Sequence, residues 1–445
     1  KMQNSALLFS EQDVGIQDKL SWHCYCFDGI RLIPCEKKMA DSVSSVSGSS
    51  TNLVLSSTLP VDTIDIATLS SEEIKAISTS EFSTLTTAQL ALIQPESIPG
   101  LTSAQIAAMP TGSLATLSND QVSQLTTTQL TSLKTSLLQE LKPTQLQAMK
   151  SSQISGLQQT QISSLTTLQI SSLTQDQVAA LTNPQVISLT SIQIAALTTA
   201  QYQAMTTAQL SSLTTSQLAN IQVDDMTALA ENETQVQSLS TSQVAALSTL
   251  QISTLLALNS LGFTGKQVAS ISTTAINSIT DVQLNKLSTS QVNSFTTGQI
   301  AALTSTQLNL LSSDNFKAIT TANIASLSTN YIRALNTTQI SNLTTEQVKA
   351  LTSSQVKALS SEQVGALSAE QISSLTSSDI SVLSSDQISA IGTDQIASLG
   401  TAQIQSLSLT AVKSLSALQL SVMATDQFKA LTATQVKSLT SDQLN

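Results

Sequence analysis

Glycine and proline are scarce in this chain, with 12 and 7 copies in 445 residues, where ordinary composition would give about 7% and 5%. Many tight strand-to-strand turns are therefore not expected. Aromatic residues make up 2% and charged residues 11%, against about 25% charged in a typical soluble domain. One histidine and three cysteines leave almost nothing for metal or nucleophilic chemistry, and no catalytic, cofactor-binding or metal site is expected. No run of 18 apolar residues occurs, so no membrane-spanning helix is expected. The net charge of −11 and pI near 4.5 disfavour nucleic acid, whose phosphates call for clustered Lys and Arg. No basic stretch followed by an apolar core marks a cleaved secretory signal. What remains is Ser, Thr, Gln, Ala and Leu/Ile/Val, with 40% hydrophobic residues, too many for a solvated disordered tail.

Residues 1–38 stand apart. They hold Cys24, Cys26 and Cys35, with Trp22 and His23. A C-x-C pair with one distant Cys lacks the second ligand pair of known zinc spacings. Two readings stay open: Met39 is the natural start and 1–38 an upstream segment, or 1–38 is an N-terminal plug or docking segment. Residues 39–60, rich in Ser, read as a flexible linker.

From residue 61 one eight-residue unit recurs, L-[ST]-[ST]-x-Q-[ILV]-x-[AS]. Its fifth position falls at Gln105, Gln121, Gln129 and Gln145, then at every eighth residue to Gln217. It resumes at Gln235 and keeps register to Gln443. The interval from Gln217 to Gln235 contains two extra residues, which divides the repeats into 61–226, a phase break at 227–234, and 235–445. A local bulge or kink is expected there.

Eight residues overshoot two α-helical turns by about 80°, so one continuous helix would wind its Leu/Ile stripe around itself. A coiled coil needs a spacing of about 3.5 or 3.67. The octad reads better as one short capped helix. Ser/Thr at position 2 and Gln at position 5 form a capping box, while Leu at position 1 and Ile/Val at position 6 form a hydrophobic staple. Pro95 and Pro143 fall at the first helical position, where a missing amide costs little. Gly392 and Gly400 fall at the N-cap, where glycine is acceptable. Acids such as Glu346, Glu362 and Asp426 sit early, and bases such as Lys349, Lys357 and Lys429 sit late, as the helix dipole favours. Phe82, Tyr202, Phe263, Phe295, Phe316 and Phe428 replace the apolar residues of positions 1 and 6, whereas Tyr331 takes the Gln position. Two apolar side chains cannot offset the ordering of eight residues, so each octad must lean on its neighbours. The expected fold is an all-α solenoid of very short capped helices, one per octad, with positions 1 and 6 buried. A β-solenoid with glutamine ladders is the alternative.

Runs such as Leu197-Thr198-Thr199-Ala200-Gln201 and Ile300-Ala301-Ala302-Leu303-Thr304 resemble the L-T-T-x-Q-I-x-A-L repeats of large bacterial surface or secreted proteins. Those proteins are often described as adhesin-like or haem-utilising. The resemblance implies an extracellular or cell-surface location, although the repeats hold no His or Cys that would bind haem. Asn232, Asn336 and Asn342 begin N-x-S/T triplets and are candidate glycosylation sites, with glycans as partners. The octads near Ile66 and Ile74 and those ending at Asn445 keep their apolar positions. Head-to-tail stacking of identical chains into a homopolymer is therefore expected. The expected function is that of a non-enzymatic filament or stalk. An adhesin-type arm or scaffold presenting a repetitive Ser/Thr/Gln face is the second reading.

Overall fold

The computed structural model describes residues 25–28, 31–34, 65–259 and 262–444. The chain forms two compact units, 1–60 and 61–445. In the first, Tyr25–Asp28 pairs antiparallel with Arg31–Pro34, Tyr25 opposite Pro34 and Asp28 opposite Arg31. The side chains of Trp22, His23 and the three cysteines, the proposed start at Met39 and the linker 39–60 lie outside the described residues.

The second unit is a solenoid of short helices, one per octad. A representative helix, Thr127–Ser132, starts after Thr126 and ends at Leu133. Thr126 (φ −76°, ψ 158°) and Leu133 (φ −68°, ψ 136°) are both extended, so each octad alternates a helix with a two-residue corner. The Thr126 hydroxyl accepts the Gln129 amide, and the Gln129 side chain accepts the Thr126 amide. This is the capping box read from the sequence, and it recurs along the solenoid. An isolated helix of five or six residues would not survive the cost of nucleation. Its stability comes from burial.

Each helix packs on the one three octads away: Ser103–Ala107 on Thr127–Ser132, Gln159–Ser164 on Asn183–Ser188, and Thr345–Lys349 on Ala369–Ser374. Three helices make one turn, and the chain climbs one layer every 24 residues. A three-sided coil results, with Leu of position 1 at the corners and Ile/Val of position 6 at the centre of each side. These residues form one continuous core from Ile66 to Leu431. Phe82, Tyr202 and Phe316 are completely buried in it. Glycine matters where layers approach most closely. A Cβ on Gly100 would lie 2.3 Å from the Ser71 carbonyl oxygen one turn below.

The two extra residues lengthen one element. Val223–Ala230 is an eight-residue helix where its neighbours have five or six. The excess is absorbed as a bulge beginning at Val223, and the helices on either side still stack three apart. A second irregularity is the eleven-residue helix Thr249–Asn259. Among the described residues, no helix is long and apolar enough to cross a membrane.

Candidate functional site

The side chain repeated most faithfully is the glutamine of position 5, and it does more than cap. Its Oε1 accepts the N-cap amide of its own helix, and its Nε2 points down to the corner one turn below. Gln129 Nε2 donates to the Ile98 and Leu101 carbonyls, at 2.8 and 2.7 Å. Gln169 does the same with Leu138 and Leu141, and Gln355 with Ile324 and Leu327. Those carbonyls lie at the end of a helix, where intrahelical partners run out. One amide thus closes the start of its own helix and the end of another 31 residues earlier in the chain. Across the insertion the offsets become 33 and 30 residues, as for Gln243 with Leu210 and Leu213, and the seam continues.

This arrangement explains the choice of residue. Glutamate could accept the N-cap amide but has no donor for the corner below. Asparagine is too short for both tasks. Asn315 and Asn323 reach only the Leu287 and Phe295 carbonyls, and the Ser312 amide is served instead by Asn285 Oδ1 from the turn below. Tyr331 sends its hydroxyl to the Ala301 carbonyl, and Ser97 reaches the Leu69 carbonyl. Asp225 and Asp379 cannot donate. Each accepts a hydroxyl from the turn below, Thr199 and Ser353 respectively, at 2.8 Å. Burial, with Asp225 nearby, pushes the Tyr202 phenol far above its ordinary range.

The slot glutamines are buried, most with 1–8% of their surface exposed. This corrects one expectation. The outward face shows Ser and Thr but not the repeat glutamine, because both ends of its amide are consumed in the seam. Two amides are only partly served. Gln235 Oε1 and Gln339 Oε1 are buried without a partner, because the Asn232 amide turns to the Leu229 carbonyl and the Asn336 amide to Asn309 Oδ1.

The three sequon asparagines differ in setting. Asn232 and Asn336 are exposed N-caps whose Oδ1 accepts helical amides. Asn342 ends a helix and donates to Ser313 Oγ. Glu72–Lys75, Asp314–Lys317, Glu346–Lys349 and Asp426–Lys429 place an early acid three residues before a late base, and Asp426–Lys429 comes to 4.0 Å. A shallow groove of about 300 Å³ runs past Lys317, Asn342, Thr344 and Glu370. Among the described residues, no three His, Cys, Asp or Glu side chains are grouped as metal ligands would be.

The chain contains a recognised repeat. Residues 292–329, 316–353, 332–361, 345–377 and 375–416 match the family model of the ALTTAQ repeat. No curated protein matches the chain. The matched stretch begins well inside the solenoid, and the same capped octads and glutamine seam precede and follow it.

Proposed function

We propose that this repeat protein is a non-enzymatic structural element, a bacterial extracellular or surface stalk that lengthens by stacking end to end into a filament. The observation that carries this reading is the uniformity of the turn-to-turn interface. Most turns send glutamine amides downward and offer carbonyls upward in the same pattern, so the contact holding such a turn in place is one that a turn of another copy can make. The chain's regularity is spent on length and stiffness. Electron microscopy of the purified full chain, without any partner, tests the proposal. Unbranched rods longer than one solenoid are expected, and a population of single short rods at all concentrations would overturn it.

The second reading is an adhesin-type arm or scaffold. It is favoured by the outward Ser/Thr positions, such as Thr167, Thr207 and Thr215, which are exposed at the starts of three helices of the solenoid. Stable monomers that bind a glycan or protein surface would select it.

A further inference from the structure

One side of the coil differs from the rest of the surface. It is built from the stacked helices Pro143–Ala148, Thr167–Ser172, Ser191–Ala195, Thr215–Ala219 and Thr241–Ala246. None of these five carries a charged residue. From 151 to 223 the chain holds a single charge, Asp176 on another side, although its net charge is −11. Positions 4 and 7 of each helix point outward and form two rows along the coil, about 4.5 Å apart at helical rise. The position-4 row carries Leu168 and Ile192 on adjacent layers, 64% and 72% exposed, where other octads mostly place Ser, Thr, Ala or an acid. The position-7 row beside them is small, with Ser171, Ala195 and Ala219. Two apolar knobs therefore stand alongside a shallow recess. Charge returns at both ends of the run, with Asp120 on the layer beneath and Lys266 on the layer above.

We propose that this side pairs with the same side of a second copy of the chain, the two coils running parallel about a twofold axis along their length. The pairing is lateral and holds with or without end-to-end stacking. Charge, size and relief select the occupant. Two acidic chains meet here without the repulsion they would meet on the side that bears Glu346, Glu370 and Asp394. A side is about 15 Å wide at helical and extended rise, and five layers span about 45 Å at the usual spacing of packed helices. Two copies would then bury about 1,400 Å², within the range of specific stable interfaces. The relief is self-complementary. A twofold axis along the coil turns the face over from left to right, so the position-4 row of one copy lies against the position-7 row of the other. Leu168 then meets Ser171 of the second copy and Ile192 meets its Ala195, with the reverse contacts equivalent by symmetry. Antiparallel copies would set Leu168 against Ile192, knob on knob, and hold the faces apart.

The test is sedimentation velocity on the full chain over a range of concentrations, with circular dichroism to check helicity. The native chain is expected to pair reversibly, and high salt should leave the pairing intact, because no ion pair holds it. Leu168→Lys/Ile192→Lys changes only exposed positions and should weaken pairing by about tenfold or more. Ala195→Phe separates a fitted recess from plain stickiness. It adds apolar surface yet fills the space that receives Ile192, so pairing should weaken, as with any bulky group at 168 or 192. Dipolar electron paramagnetic resonance reads the orientation from one nitroxide on Ser242→Cys, in the outermost of the five layers, with Cys24, Cys26 and Cys35 replaced by serine. Parallel pairing sets the two labels within about 20 Å of each other, and antiparallel pairing about 40 Å or more apart, at the layer spacing. A native chain that stays single at every concentration overturns the proposal, and so does a Lys variant that pairs as well as the native chain. Stronger pairing in Ala195→Phe, or the long label distance, overturns it too. Association that is only end to end, unchanged in the Lys variant, removes the lateral pair while the stacking reading stands.

Discussion

At the residue scale, the glutamine slot couples two helix ends through one side chain, and substitutions there separate its roles. In Gln169→Glu the Thr166 cap persists, but a buried carboxylate faces the Leu138 and Leu141 carbonyls. A loss of about 3 kcal/mol or more is expected, as for an unpaired buried charge. Gln169→Met, which is apolar and of similar length, should cost less, roughly 1–3 kcal/mol for the polar groups left unsatisfied. Native-state hydrogen exchange of the amides around residues 138–141 and 166–170 reads both. The reverse change, Asp379→Gln, supplies the missing donor for the Val348 and Leu351 carbonyls. It should slow exchange locally, by about 1 kcal/mol, although Ser353 loses its acceptor. Glu73 and Glu81 give a pH signature of the opposite kind. Hydrogen bonds from Ser70 and Ser78 lower both of these slot carboxyls on folding, so the stability they add is full above the ordinary glutamate range. It declines as pH falls through the lowered folded values. Protection of the amides at residues 70–82 should fall in that acid window in the native chain and stay flat in Glu73→Gln/Glu81→Gln.

At the scale of the element, the helix itself was legible in the sequence. S/T-x-x-Q gave its start, flanking Leu and Ile/Val gave its buried side, and Pro95, Pro143, Gly392 and Gly400 agreed with the register. The number of helices per turn was not legible. An octad looks the same in a two-, three- or four-sided coil, and only the packing of corners selects three. The second role of glutamine was hidden for a related reason. Its donors act on residues 28 and 31 positions away, beyond the local window in which a capping box is recognised. One signal was present: Asn, Asp and Tyr enter the slot rarely, although any acceptor of suitable length would serve a cap alone. Close layer contact also yields an element-scale prediction. Gly100→Ala places a Cβ 2.3 Å from the Ser71 carbonyl oxygen, which backbone cannot yield cheaply. The 3₁₀ turn Pro95–Gly100 and the helix Ser71–Ala76 should loosen together, at a cost of about 1–3 kcal/mol. Exchange protection of residues 71–77 and 95–101 checks it.

For the whole molecule, contacts reach only the neighbouring turns, so stability is approximately a sum over turns and their interfaces. Excising residues 343–366, three complete octads, should leave helicity per residue and thermal behaviour nearly unchanged by circular dichroism. The central claim is that three octads make one turn, with glutamine stitching each turn to the last. Spin labels on exposed positions test it most directly, in a chain whose Cys24, Cys26 and Cys35 have been replaced by serine. Leu168 and Ile192 are exposed, lie 24 residues apart and sit on stacked helices, which pack about 8–10 Å apart. Leu168 and Asp176 lie eight residues apart, on different sides of the coil. Continuous-wave electron paramagnetic resonance should show strong dipolar broadening for the 168/192 pair and much weaker broadening for 168/176. Stronger coupling for 168/176, or none for 168/192, would contradict the three-sided coil.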